Sequence, residues 1–167
     1  MFHLLKKLRD IAAQKSEQYV NDRIAKLNAP LDKQKVQPFL MDNMAIAEEL
    51  FADMDIVQMK TVQSKDDPSL RFFLVYCSVT VDPTLISEHV VKPLMKHSSP
   101  EIKDMDGLLS SVIQVDKSES TDSFEKIVEN VMSGNTALFA EGMSEAAIIK
   151  TEKVTLRAVE EPDNEKV

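Results

Sequence analysis

One stretch of this chain carries acids at a spacing that could bind a cation. Asp104-Met105-Asp106-Gly107 resembles the opening of a calcium loop. A loop starting at Asp104 puts its glycine fourth, where the sharp turn needs it sixth. Its twelfth residue is Val115, where the ion needs a bidentate Glu. The stretch therefore reads as a solvated acidic turn, as do Asp66-Asp67 and Glu160-Glu161. The histidines His3, His89 and His97 form no ligand pair at helical spacing with a carboxylate. His89 falls on the apolar face of a helix and reads as a core or boundary histidine. No nucleophile motif surrounds a serine, and Gly107, Gly134 and Gly142 read as turn residues, not a phosphate loop. The single cysteine, Cys77, sits in an apolar run and reads as a small core residue. The expectation is no catalytic residue, no metal, no cofactor and no enzyme.

The composition narrows the partners. The 167 residues carry a net charge of −8, which argues against nucleic acid, since phosphate binding needs clustered Lys and Arg. Aromatics make up 5% and Trp is absent, so no base-stacking platform is expected. At 43% hydrophobic residues the chain can bury a core. Its longest apolar run, Phe72 to Cys77, is far short of the ~20 residues of a spanning helix. The first nine residues carry charges inside the apolar stretch and do not read as a secretory signal.

The elements that would position any site follow from periodicity. Leu4, Leu8 and Ile11, then Val20, Ile24 and Leu27, predict one helix over 2–28, ended by Asn28-Ala29-Pro30. Residues 29–38 read as a linker. Asp42 or Asn43 is expected to cap a helix to about Asp53, with Ala45, Ile46, Leu50 and Phe51 inward. Strands are expected over 55–64 and 70–81 around a polar turn at 65–69. The second, apolar on both faces, should be central. Asp82-Pro83 should start a helix that kinks or ends at Pro93, which cannot bond the His89 carbonyl. A short helical turn is expected at 106–109 and a strand over 111–116. Asp122-Ser123-Phe124-Glu125 has near capping-box spacing for a helix that Gly134 stops. A hairpin over 136–141 and 145–151, with 154–159 as a third antiparallel strand, completes the chain. These elements predict an α/β (α+β) class: a mixed sheet with helices packed on it, preceded by a long N-terminal helix.

Four ordered stretches then carry a resemblance. They are Phe73-Leu74-Val75-Tyr76, Ile86 through Met95, Val131 through Phe139, and Arg157-Ala158-Val159-Glu160-Glu161-Pro162 with Glu165-Lys166-Val167. Over roughly residues 40–167 the chain resembles the N-terminal soluble domain of the A subunit of GerA-type spore germinant receptors. Members of that family often carry Asp-Gly after the Leu-Val-Tyr strand; here Cys77-Ser78-Val79-Thr80 is expected to extend it. Residues 1–35 match no family feature. The resemblance implies two parts: residues 1–35 as helix and linker, and 36–167 as an α/β subdomain, the first half of a larger soluble domain cut at Val167. It implies a membrane protein on the cytoplasmic side of the inner spore membrane, spanning through downstream segments. Receptor B and C subunits and other A subunits would be its partners, in nutrient sensing, germination and ion release.

Two functions are open on this reading. The first is a non-catalytic module acting in assembly and signal transmission, with the N-terminal helix, through Leu4, Leu8, Ile11, Val20 and Ile24, and the 136–159 sheet as candidate interface faces. Leu4, Leu5, Leu8 and Ile11, with Lys6, Lys7, Arg9 and Lys15, would also suit an anionic membrane surface. Packing on protein is favoured, because Asp10, Glu17 and Asp22 share the helix. The second is a module binding a nutrient or ion between this subdomain and another. Arg157 is its candidate ligand-binding residue, against a plain surface role paired with Glu160 or solvent.

Overall fold

The run Arg71-Phe72-Phe73-Leu74-Val75-Tyr76-Cys77 organises the molecule because it has apolar side chains on both faces. In the computed structural model, which describes residues 2–98, 101–113, 115 and 117–154, it forms strand β2 (Arg71–Cys77). Side chains of residues 2–5, 7, 8 and 11 are not described. β2 lies inside a five-stranded sheet with β1 (Val57–Gln63), β3 (Ser118–Thr121), β4 (Thr136–Ala140) and β5 (Ala146–Ile149). The order is β1-β2-β4-β5-β3, and every described pairing is antiparallel. The sheet-with-helices class expected from the sequence is the one observed, with no parallel ladder among the described strands.

Side chains alternate across the pleat, so β2 feeds two cores. Phe72 and Leu74 join Leu138 and Ile149 on one face. Phe73 and Val75 join Phe139 and Ile148 on the other. Helix α2 (Leu40–Leu50) and α6 (Phe124–Met132) cover the second face through Ile46, Ala47, Phe124 and Ile127. The Phe139 ring lies 5.6 Å from both Phe73 and Phe124. The first face is covered by α5 (Met105–Ser111) and by a helix in three consecutive pieces. These are α3 (Pro83–Leu85), a π-helical segment (Ile86–Val91) and α4 (Lys92–Lys96).

Local chemistry sets several boundaries as the residues predict. Asp82 accepts from the N–H groups of Thr84 and Leu85, capping α3 with Pro83 next. Asp104 accepts from Gly107 N–H at 2.7 Å, so the acidic turn is a helix cap. Gly134, at φ +94°, ends α6: its N–H reaches the Val131 carbonyl and Asn135 N–H reaches that of Asn130. Asp67 accepts from the Ser69 hydroxyl and N–H in the β1–β2 turn, which holds its carboxyl below the usual range.

Elsewhere the structure corrects the reading. α2 starts at Leu40, after Phe39, with no side-chain cap. Asp42 and Asn43 are buried and serve other contacts: Asn43 holds both the N–H and the carbonyl of Gln37. Ala45 faces solvent and Ala47 is the buried alanine. The helix through Pro93 does not end there. Its π segment is wider, which accommodates a proline that cannot bond back, and it turns His89 out to solvent. Residues 111–113 are not a strand. α5 runs to Ser111, and the amides of Val112 and Ile113 both reach the Leu108 carbonyl, so Ile113 plugs the core. The edge strand is instead the polar β3, paired to β5.

β2 stops at Cys77, because the amides of Thr80 and Val81 turn back to its carbonyl. Asp122 pairs with Lys35, at 3.0 Å, rather than capping α6, whose first amide, Phe124 N–H, donates to Gln34. Gln34 and Val36 are buried, so this part of segment 29–38 packs against the body. The expected strand at 154–159 falls outside the described residues, apart from Val154, which is exposed.

Candidate functional site

Helix α1 (Phe2–Leu27) is held to the body by its last two turns. Leu27 packs against the core on the α2 side of the sheet. The Arg23 guanidinium donates through Nε to Asp42 Oδ1 at 3.0 Å and through Nη2 to the same oxygen. Asp42 is 5% exposed, so its charge needs this partner. The carboxylate in turn raises the Arg23 pKa above its ordinary value. The guanidinium carbon also lies 5.5 Å from the Phe39 ring centroid, within reach of a cation–π contact. Gln34 Nε2 closes the junction on the Lys26 carbonyl at 2.9 Å.

Beyond that junction α1 stands clear. Lys6, Arg9, Asp10 and every residue from Ala12 to Asp22 are exposed. At the predicted interface positions, Val20 is 49% and Ile24 50% exposed. Leu4, Leu8 and Ile11 lie on the helix, with side chains outside the described set.

A second feature is a polar cleft of about 540 Å³ at the β3 edge of the sheet, beside the end of α6. Lys117, Lys150, Glu119 and Glu152 line it with the amides of Asn130 and Asn135. Asn135 Nδ2 donates to Asn130 Oδ1 at 2.9 Å, and Asn130 Nδ2 to the Lys126 carbonyl at 2.9 Å. Two bases, two acids and two amides can meet a small ion or zwitterion. No nucleophile with an orienting base is among these lining residues. The cleft is built from segments spread over residues 117–152, none carrying a motif, so nothing in the sequence pointed to it. Arg157 lies outside the described residues.

Other candidates resolve to structure. Cys77 is free and 1% exposed, in the core position expected of it. His97 is half-buried, and its carbonyl accepts from the Ser64 hydroxyl. Among the described residues no cluster of three His, Cys, Asp or Glu could hold a metal ion. Among them, too, no helix is long and apolar enough to cross a membrane.

Comparison with known proteins places this architecture. The chain is 28% identical over 138 residues to spore germination protein A1 of Bacillus subtilis (strain 168), covering 82% of this chain and 27% of that protein. It is 23% identical over 131 residues to spore germination protein KA of the same organism, covering 78% and 24%. A membrane protein of that organism, YfkQ, is 27% identical over 93 residues, 56% of this chain and 18% of its own length. The chain thus spans about a quarter of the length of the two germination proteins. The fold matches the crystal structure of the N-terminal domain of the A subunit of the Bacillus megaterium spore germinant receptor GerK3. The TM-score is 0.59 at 16% identity, over 71% of this chain and 48% of that one. The family model for the Bacillus/Clostridium GerA spore germination protein matches residues 44–167, which leaves all of α1, with Gln34, Phe39 and Asp42 of its junction, outside the matched segment. With that match over most of its length, the chain belongs to the GerA family of spore germination proteins.

Proposed function

We propose that this chain is a non-catalytic module of a spore germinant receptor A subunit, acting in receptor assembly and in transmitting the nutrient signal that leads to ion release. The observation that carries this is the GerA family match over residues 44–167. The solved relative sharing the fold is an A-subunit N-terminal domain, of which this chain covers 48%. On this reading residues 36–167 are one subdomain of a larger N-terminal domain, and residues 1–35 an added arm. The module lies on the cytoplasmic side of the inner spore membrane and contacts B and C subunits and other A subunits. Signal transmission is a population shift between subunit arrangements, so it needs contacts that differ between states and no reactive centre. The arm, α1, is the candidate contact, through Leu4, Leu8, Ile11, Val20 and Ile24. The test is deletion of residues 1–28 in the receptor. The expected result is impaired subunit assembly and a weaker nutrient response; unchanged assembly and response would remove the arm from the mechanism.

A second reading has one specific support, the polar cleft at the β3 edge. There the module holds a small nutrient or ion between itself and a neighbouring subdomain. Lys117 and Lys150 would meet a carboxylate, and Glu119 and Glu152 an ammonium group. Titration calorimetry of the longer N-terminal domain with amino acids is the check. Saturable heat lost in Lys150→Ala supports binding; heat of dilution alone rejects it.

A further inference from the structure

Among the described residues, what holds α1 to the body lies in its last two turns and the segment that follows. Arg23 is bound to Asp42 and lies over the Phe39 ring, Leu27 reaches the core, and Gln34 bonds the Lys26 carbonyl. Packing around this junction is interrupted twice. A crevice of about 190 Å³ lies between Tyr19, Asp22 and Lys26 of α1 and the Pro38-Phe39 segment. Another, of about 130 Å³, lies between Leu27, Asn28 and Ala29 and the Ile46 and Leu50 side of α2. Hollows of this size forfeit the close contacts that make an interior rigid. Past the helix the chain is tied only to itself. Asn28 N–H bonds the Ile24 carbonyl and Lys33 N–H that of Pro30. Among the described residues no backbone hydrogen bond joins residues 28–33 to the body. The first such bonds come at Gln34, whose carbonyl accepts from Phe124, and at Val36, whose N–H donates to Asp122.

We propose that this junction is a latch with two positions. Closed, Arg23 on Asp42 holds α1 in the direction seen here. Open, the pair parts and α1 swings about residues 28–33. Two features keep the open position within reach. Asp42 sits in the first turn of α2, so the carboxylate that Arg23 leaves meets water and the positive end of that helix. The Arg23 side chain is already 43% exposed and passes readily into water. Charge draws the arm back: residues 2–27 carry six Lys or Arg against three Asp or Glu, and the rest of the chain fourteen against twenty-five. Length amplifies the motion. At about 1.5 Å per residue the 26 residues of α1 span ~39 Å, so a rotation of ~20° carries the far end ~13 Å. Val20 and Ile24 ride on this arm, so the latch sets where their exposed stripe is offered to a neighbour. The proposal names the two-state element behind the signal transmission proposed above and rests on that reading.

Electron–electron distance measurement on the 167-residue chain tests it, with spin labels at Gln14→Cys on the arm and Lys126→Cys on α6. Cys77 is buried and does not compete for label. The parent chain is expected to show one dominant distance. Arg23→Gln and Asp42→Asn each raise the population away from it by at least about fivefold. The double variant opens no further than either single one, since both remove the same bond. Lys35→Gln, which breaks the exposed Lys35–Asp122 pair, leaves the distance unchanged. Amide exchange in β2 and β4 checks that the body stays folded; where Asp42→Asn loosens it, Arg23→Gln carries the test. A parent chain without a dominant distance, or variants of the pair that keep the parent distance, overturn the latch. So does a double variant that opens further than both single ones, or a Lys35→Gln chain that opens as far as they do. If the pair variants keep the parent distance while the receptor still requires residues 1–28, the latch is wrong and the assembly reading stands. If they open the arm while the receptor ignores the loss of those residues, the latch stands and the assembly reading fails instead.

Discussion

Two regions of this molecule carry the same kind of pattern, apolar residues at steps of three and four, and meet opposite fates. In α6 the pattern Phe124, Ile127 and Val131 is buried to 1% exposure or less. In α1 the matching positions Val20 and Ile24 stay half exposed. The difference lies in what each helix is offered. α6 lies over β4 and β5, whose inward residues Ala137, Phe139 and Ile148 complete its core. Among the described residues, α1 meets the body at α2 and the segment before it, through the Arg23–Asp42 ion pair, the Arg23–Phe39 contact, the Gln34 bond to the Lys26 carbonyl and Leu27. Periodicity therefore says which face of a helix can be buried, and the neighbouring surface decides whether it is. An isolated helix is marginal in water, and on the assembly reading proposed above the exposed Val20 and Ile24 are covered by a neighbouring subunit.

The contrast can be broken from either side. The largest effect is expected at its centre, Phe139→Ala, which empties the space between Phe73 and Phe124. Denaturant unfolding should show a loss of about 3–5 kcal/mol. Next is Gly134→Ala, where a Cβ would sit at positive φ, 3.2 Å from Glu152 Cγ and 3.3 Å from Thr80 Cβ. About 1–2 kcal/mol should be lost, again by denaturant unfolding, and a neutral result would remove backbone strain from the account of that helix end.

Asp42→Ala acts on the other region. It frees Arg23, so amide exchange across residues 19–27 should quicken while that of β2 and β4 is unchanged. Equal acceleration in both regions would show that the junction is part of the body's cooperative unit. The smallest effect is expected from Ile24→Ala, within about 0.5 kcal/mol in the monomer. A larger loss would show that α1 is covered in solution by something other than water.

Much of the body was legible in the residues themselves. β2, the Asp82-Pro83 helix start, the Gly134 stop and the hairpin of β4 and β5 all declare themselves locally. β3 did not, because Ser118-Glu119-Ser120-Thr121 is polar and joins the sheet through backbone bonds to β5. Val112-Ile113 misled for the opposite reason: two β-branched residues were claimed by the end of α5 before a strand could form. The polar cleft was illegible because its residues converge only when α6, β3 and β5 are in place.

Local chemistry thus determined which segments are helix, turn or central strand, because side-chain entropy, caps and φ preferences act within a few residues. It also determined the charge contrast between arm and body, since counting needs no fold. Tertiary structure alone decided that Asp42 serves Arg23, nineteen residues away, instead of capping its own helix. It decided as well that the arm stands clear of the sheet, because burial depends on which surfaces the chain brings together and no local pattern encodes a neighbour.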